Sequence, residues 1–165
     1  MEKLMIKYNT IIFVSNSDTC RGQFAVAVMK AIGENFLKAN DIKVKSRGVV
    51  VLFPEPMNPK AVAIASSKNL HIEDHMSRKI EESDFGMDVL ILTMSESIKK
   101  KLYDDYKEAV NVFNIKEFVG EDGDLDTAYG GELSEYGELF RDIERLINKV
   151  LDKLDEQAES ANTDN

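Results

Sequence analysis

Apolar residues in this chain fall into continuous runs and into helically spaced sets, and the two kinds alternate along its length. Ile11 to Val14 is apolar at every position, as is Val89-Leu90-Ile91-Leu92 within the stretch Asp88 to Thr93. Such runs predict strands covered on both faces. Ile42 to Ser46 alternates apolar residues with lysine and predicts a strand nearer a sheet edge, and Asn111 to Phe113 predicts a short one. Between these runs, Ala25, Val28, Met29, Ile32 and Phe36 predict one helix, weakened locally by Gly33 and ended by Asn40 and Asp41. Asn58-Pro59 opens a second helix to about Ser67, with proline tolerated in its first turn. Ser77 with Glu81-Glu82 predicts a short capped helix, and Ser95 with Glu96 caps a charged helix to about Val110. From Glu132 onward, Leu139, Ile143, Leu146, Ile147, Val150, Leu151 and Leu154 form the stripe of a last helix.

Strands that alternate with helices in this way predict an α/β fold: a parallel sheet with right-handed crossovers. Two loops stand out. Arg47 to Pro59 contains the apolar run Val49 to Phe53 and all three prolines of the chain, Pro54, Pro56 and Pro59, which marks an ordered loop rather than a helix. Lys116 to Gly131 is acidic and contains Gly120, Gly123, Gly130 and Gly131. Residues 155–165 carry no large apolar side chain and are expected to form a disordered tail, leaving residues 1–154 as a single domain.

At 165 residues, one core suffices and buries on the order of 70% of the unfolded surface. The formal charge of −9 argues against nucleic acid or an anionic membrane as the main partner, since either selects a basic face. A single cysteine allows no intramolecular disulfide, and reduced cytoplasm is the expected compartment. Met1 to Lys7 is charged and has no continuous apolar run or small-residue cleavage site. No metal or cofactor is expected.

The chemistry concentrates in Ile11-Ile12-Phe13-Val14-Ser15-Asn16-Ser17-Asp18-Thr19-Cys20-Arg21-Gly22. An apolar strand ends at Ser15, a loop of small polar residues follows, and Arg21 stands at the mouth of a long helix. That order brings several backbone N–H groups, the positive end of a helix dipole and a guanidinium to one place, which makes an anion cradle.

The stretch resembles the phosphate-binding loop of the low-molecular-weight protein tyrosine phosphatases, in which a strand leads to a nucleophilic cysteine, five loop residues and an arginine. The resemblance extends over about residues 9 to 154. Ser46-Arg47-Gly48 is similar to the family's serine-containing turn, and His75-Met76-Ser77-Arg78 before Asp88 to Met94 is similar to its His-x-x-Arg segment. Gly130-Gly131, flanked by Tyr129 and Tyr136, resembles the loop that presents the general acid. The resemblance implies a four-stranded parallel sheet with helices on both faces, a three-layer sandwich with its site at the carboxyl ends of the strands.

The same resemblance assigns roles residue by residue. Asn16, Ser17, Asp18, Thr19, Cys20 and Arg21 would form the anion-binding loop, with Arg21 clamping two phosphate oxygens through its planar fork or else pairing with Asp18. Ser46 and His75 would support the loop, and Tyr129 would flank the substrate. Two catalytic positions depart from the family. Ser15 stands where the nucleophilic cysteine belongs, and a hydroxyl is far harder to ionise than a thiol of pKa about 8.5. Thr127 stands at the acid position, with Asp126 or Asp124 as possible substitutes. Asp18 replaces an asparagine, which at about 5 Å and an effective dielectric near 20 sets on the order of 3 kcal/mol of repulsion per unit charge against a bound phosphate. Gly22 replaces a hydroxyl residue, and Cys20 matches a second loop cysteine but is read first as a buried small side chain.

Loss of the nucleophile is worth as much as about a millionfold in a well-studied hydrolase, and loss of a general acid about 10² to 10⁴. The expectation is therefore a phosphatase-family chain that is silent or severely impaired, and that binds phosphate, phosphotyrosine or a protein partner through the retained loop. The alternative is an active phosphatase with a non-standard nucleophile or acid.

Overall fold

The computed structural model describes residues 8–163, with side chains through residue 160, so Met1 to Lys7 and residues 164–165 lie outside the described part. Its strands are β1 (Thr10–Ser15), β2 (Lys43–Gly48), β3 (Val89–Thr93) and β4 (Val112–Asn114). Its helices are α1 (Arg21–Ile32), α2 (Glu34–Ala39), α3 (Pro59–Ser67), α4 (Glu96–Asp105), α5 (Ile115–Phe118) and α6 (Leu133–Thr163). The strands form one parallel sheet in the order β2-β1-β3-β4, with helices on both faces; the pattern of apolar runs predicts the parallel sheet, and the family resemblance implies its four strands and helical layers.

β1 is central and pairs with both β2 and β3, so Ile11 to Val14 are buried, at most 1% exposed. That position explains why this run is apolar at every residue, whereas β2, at the edge, alternates. The register sets Ser15 opposite Gly48 and Val14 opposite Thr93, so β1 delivers its last residue to the carboxyl end of the sheet. α1 packs on α6 through an edge-to-face pair, Phe24 and Phe140, with ring centroids 5.1 Å apart and an interplanar angle of 83°.

Four local expectations are corrected. The helix predicted across Gly33 is two helices: a Cβ there would lie 2.8 Å from Leu151 Cδ2 and from the Met29 carbonyl, so the glycine is where α6 crosses and the chain re-caps. Ser77 starts no helix. Its hydroxyl accepts the Glu55 N–H at 2.8 Å, and helical geometry is confined to a 3₁₀ turn at Glu82–Asp84 capped by Glu81 and Asp84. α4 ends at Asp105, because Tyr106 turns extended and donates its hydroxyl to the Ile80 carbonyl at 3.0 Å. α6 continues through Thr163, so residues 155–163 of the expected tail are helical. Leu154 is the last buried position among the described side chains. The residues beyond it, Asp155-Glu156-Gln157-Ala158-Glu159, extend a helix already nucleated by packing, where each added residue needs only propensity.

Among the described residues no helix is long and apolar enough to cross a membrane. Replacing Phe140 with alanine removes the α1–α6 edge contact at a site only 1% exposed, and urea unfolding should show a loss of about 3–5 kcal/mol; a loss under about 1 kcal/mol would mean that this pair does not hold α1 in place.

Candidate active site

The loop from Ser15 to Arg21 is shaped by bonds made behind it. Asp18 adopts a left-handed backbone (φ 57°), which reverses the chain, and its carboxylate is fully buried. Asp18 Oδ2 accepts the Arg78 N–H at 2.9 Å and lies 2.9 Å from His75 Nε2, while the Asp18 N–H donates to Ser15 Oγ at 3.1 Å. Ser46 Oγ accepts from Gln23 Nε2 at 2.7 Å and lies 3.4 Å from His75 Nε2, extending the network to α1. Gly48 is required by close approach, since a Cβ there would lie 3.0 Å from the Asp18 nitrogen. The loop carbonyls face outward: those of Ser15, Asn16 and Thr19 accept from the N–H groups of Val49, Val50 and Asn58.

The loop amides are left over. The N–H groups of Asn16, Ser17, Thr19, Cys20 and Arg21 reach no acceptor among the described residues. Such donors are satisfied by water or by an anion. They belong to residues that line a cleft of about 360 Å³ together with Ser15, Glu55, Asn58, Thr127, Tyr129 and Tyr136. Asp18 alone of the expected loop residues is not on that lining.

Arg21 opens α1 and donates from Nη1 to the Leu125 carbonyl at 2.7 Å, which ties the helix start to the acidic loop. It does not pair with Asp18, whose Oδ1 is buried without a partner. Burial lowers the Arg21 pKa, while Cys20, Asp126 and Asp124 counteract this by favouring the charged form. Beside it the Cys20 thiol is pushed up to about 12 by burial, with Arg21 offsetting only part of the effect. Cys20 is therefore a protonated thiol at neutral pH and not a ready nucleophile.

On the opposite wall, Thr127 Oγ1 accepts the Tyr129 N–H at 3.1 Å, and Tyr129 stands at the rim with 83% of its surface exposed. Asp124 is committed to structure, its Oδ1 accepting from the Glu96 N–H and Asn114 Nδ2, both at 2.9 Å. Asp126 is exposed and near enough to influence Arg21, but it is not on the cleft lining. The acidic loop is anchored to α6 by Glu121, whose pKa is lowered to about 2 by Arg145 and Lys149.

Three lining residues escape sequence reasoning. Glu55 places a carboxylate on the wall, Asn58 caps α3 by accepting from the Lys60 and Ala61 N–H groups, and Tyr136 is only 2% exposed, its pKa raised mainly by burial. The proline-rich context around Glu55 and the Asn-Pro cap mark an ordered loop but not its destination. Val49 packs inside while Val50, Leu52 and Phe53 are exposed, so the apolar run is divided between core and surface. Among the described residues no group of metal-ligating side chains converges.

Two outcomes follow from this geometry. Iodoacetamide should label native Cys20 at pH 8 at least about tenfold more slowly than a free thiol, and labelling at the free-thiol rate would contradict a half-buried, protonated side chain. Asp18→Asn removes the buried negative charge beneath the loop and should raise the affinity for inorganic phosphate by about tenfold or more; calorimetry showing weaker binding would mean that the carboxylate's support of the loop outweighs its repulsion.

The family model described as low molecular weight phosphotyrosine protein phosphatase matches residues 10–160. The low molecular weight protein-tyrosine-phosphatase PtpB of Staphylococcus haemolyticus is 29% identical over 140 residues, covering 85% of this chain and 96% of that one. The crystal structure of the low molecular weight protein tyrosine phosphatase from T. tengcongensis superposes with a TM-score of 0.80 at 32% identity, covering 87% of this chain and 98% of that one. A cysteine-to-serine mutant of the YwlE arginine phosphatase, with a phosphorylated active-site serine, superposes with a TM-score of 0.79 at 28% identity, covering 88% of this chain and 95% of that one. The strand, the loop, the sheet order and the family model agree: this chain belongs to the low molecular weight phosphotyrosine protein phosphatase family.

Proposed function

We propose that this chain holds a phosphorylated side chain in the 15–21 loop and does not turn it over at a phosphatase's rate. The observation that carries this reading is Ser15 itself. In the family pattern of nucleophile, five residues and arginine, counting back from Arg21 assigns Ser15 to the nucleophile position. Ser15 is 2% exposed, and its Oγ accepts one hydrogen bond, from the Asp18 amide. Neither a histidine nor a carboxylate bonds to that hydroxyl among the described residues, so no base is in place to take its proton. The leaving group fares no better, because Thr127 is held in a turn by Tyr129 and Asp126 lies off the cleft lining.

Binding is a separate matter from cleavage. Five amides without acceptors and Arg21 at the start of a helix suit a dianionic phosphoryl group. The ligand class is a phosphoryl monoester or phosphoramidate side chain, phosphotyrosine or phosphoarginine, in keeping with the activities named for the similar proteins. The acidic character of the chain, −9 overall, disfavours substrates embedded in acidic sequence. Its single thiol suits a cytoplasmic setting.

One specific observation favours a second fate for the ligand. In the serine mutant of the similar arginine phosphatase the active-site serine carries a phosphoryl group. By analogy, Ser15 Oγ would accept the phosphoryl once: the new O–P bond forms as the bond to the leaving group breaks, and the serine proton passes to the leaving group. The phosphoserine ester would then persist, since the serine alkoxide is a far poorer leaving group than a cysteine thiolate.

The test compares the parent with Ser15→Cys, using p-nitrophenyl phosphate and phosphoarginine, with intact-protein mass recorded throughout. The parent should show no turnover above buffer and, at most, a mass gain of one phosphoryl group. Ser15→Cys should release phosphate at a rate on the order of a thousandfold or more above the parent. Multiple turnover by the parent at the rate of the cysteine variant would overturn the proposal.

A further inference from the structure

A second groove lies between α1, β2 and the segment from His75 to Arg78, and it has the charge that the cleft lacks. It is about 440 Å³ in volume and is lined by Gln23, Lys30, Lys45, Ser46, His75 and Arg78, over an apolar wall that includes Val44. The cleft, by contrast, has one guanidinium, Arg21, and a carboxylate, Glu55, on its lining. In a chain with 30 acidic residues against 21 lysines and arginines, no carboxylate lines this groove.

Three of the four lysines and arginines there are also unspent. Lys38, Lys99, Lys100, Lys101, Arg145 and Lys149 each reach a carboxylate, and Arg47, on the same groove, is paired with Asp84. The side chains of Lys30, Lys45 and Arg78 reach no acceptor among the described residues. Arg78 is nevertheless fixed in place. Its N–H donates to Asp18 Oδ2 and its carbonyl accepts the Gly48 N–H at 2.8 Å, so the main chain is pinned while the guanidinium stays available. Beneath them is a polar floor, Ser46 at 1% exposure and Gln23 at 9%, already hydrogen-bonded to each other. Surface cations that neutralise nothing repel one another, and leaving three of them around one concavity in an acidic protein is an arrangement that an anion would relieve.

We propose that this groove is a second anion site, distinct from the cleft, for a small ligand of the diphosphate class, read by Lys30, Lys45 and Arg78. Two linked phosphoryl groups present charge on several sides, which suits three cations distributed over a helix, a strand and a loop. Single lysine contacts at an exposed rim are weak and salt-sensitive, so affinity should come from their sum and should fall as salt rises. The ligand would sit against His75, which touches Asp18 on the reverse side of the catalytic loop.

The test is calorimetric titration of the full chain with inorganic pyrophosphate at low salt, together with amide spectra of the labelled protein. The parent should bind, with shifts at residues 30, 45 and 78. The Lys30→Gln/Lys45→Gln/Arg78→Gln variant, altered only at exposed positions, should keep the parent's thermal midpoint and lose at least about tenfold in affinity. No binding by the parent, undiminished binding by the triple variant, or shifts confined to residues 16–21 would each overturn the proposal, the last by assigning the anion to the cleft alone. Aryl phosphate turnover plays no part in these readouts, so this proposal and the assignment of Ser15 fail or stand separately.

Discussion

The buried carboxylate of Asp18 organises the catalytic loop from behind. It accepts the Arg78 amide, touches His75 and, through its own N–H, holds Ser15 Oγ. Because the loop carbonyls bond outward to the 49–58 segment and the reversal at Asp18 is fixed by that carboxylate, the amides of residues 16, 17, 19, 20 and 21 find no acceptor among the described residues. An unpaired amide in a partly buried cleft is costly, and a group of them calls for water or an anion. The same carboxylate opposes that anion. Its Oδ1 lies buried without a partner beside Gly22, where a Cβ would come within 3.4 Å of it, so the support and the charge of the loop pull in opposite directions.

From this follows a division between holding and cleaving. Holding needs amides, a guanidinium and a fixed loop, and the chain has all of these. Cleaving needs an ionised nucleophile and a proton for the leaving group. The one thiol nearby, Cys20, is pushed up to about 12 by burial, and the hydroxyl at Ser15 has no base in contact. Family membership, which the matched region establishes, describes the scaffold; it leaves ligand and rate to the atoms of the loop, at Ser15 and on the acidic loop.

Much of the fold was legible because burial leaves a direct mark on composition. β1 and β3 are covered on both faces and read as unbroken apolar runs, and the alternation of lysine in β2 read correctly as an edge. What escaped depended on partners far away in sequence. Gly33 looked like a weak point within a helix, yet it ends one because Leu151 of α6 presses on it. Ser77 looked like a cap and is instead a partner for the loop at Glu55. The polar run after Leu154 looked like a tail, since local polarity does not distinguish a free segment from the extension of a packed helix. In the site, the loop and Arg21 could be located from the strand-loop-helix order alone. Glu55, Asn58 and Tyr136 could not, because only the path of the proline-rich loop and the first turns of α6 bring them to the cleft. Nor did the sequence reveal that Asp18 turns away from the cleft toward His75.

The central claim is that the free amides of the loop hold a phosphoryl-type anion that Ser15 does not release. The most direct measurement is a titration of the isotope-labelled chain with inorganic phosphate, followed through the amide resonances. The account predicts saturable shifts at residues 16, 17, 19, 20 and 21. Resonances there that stay in place at saturating phosphate, while the rest of the spectrum reports a folded protein, would contradict it.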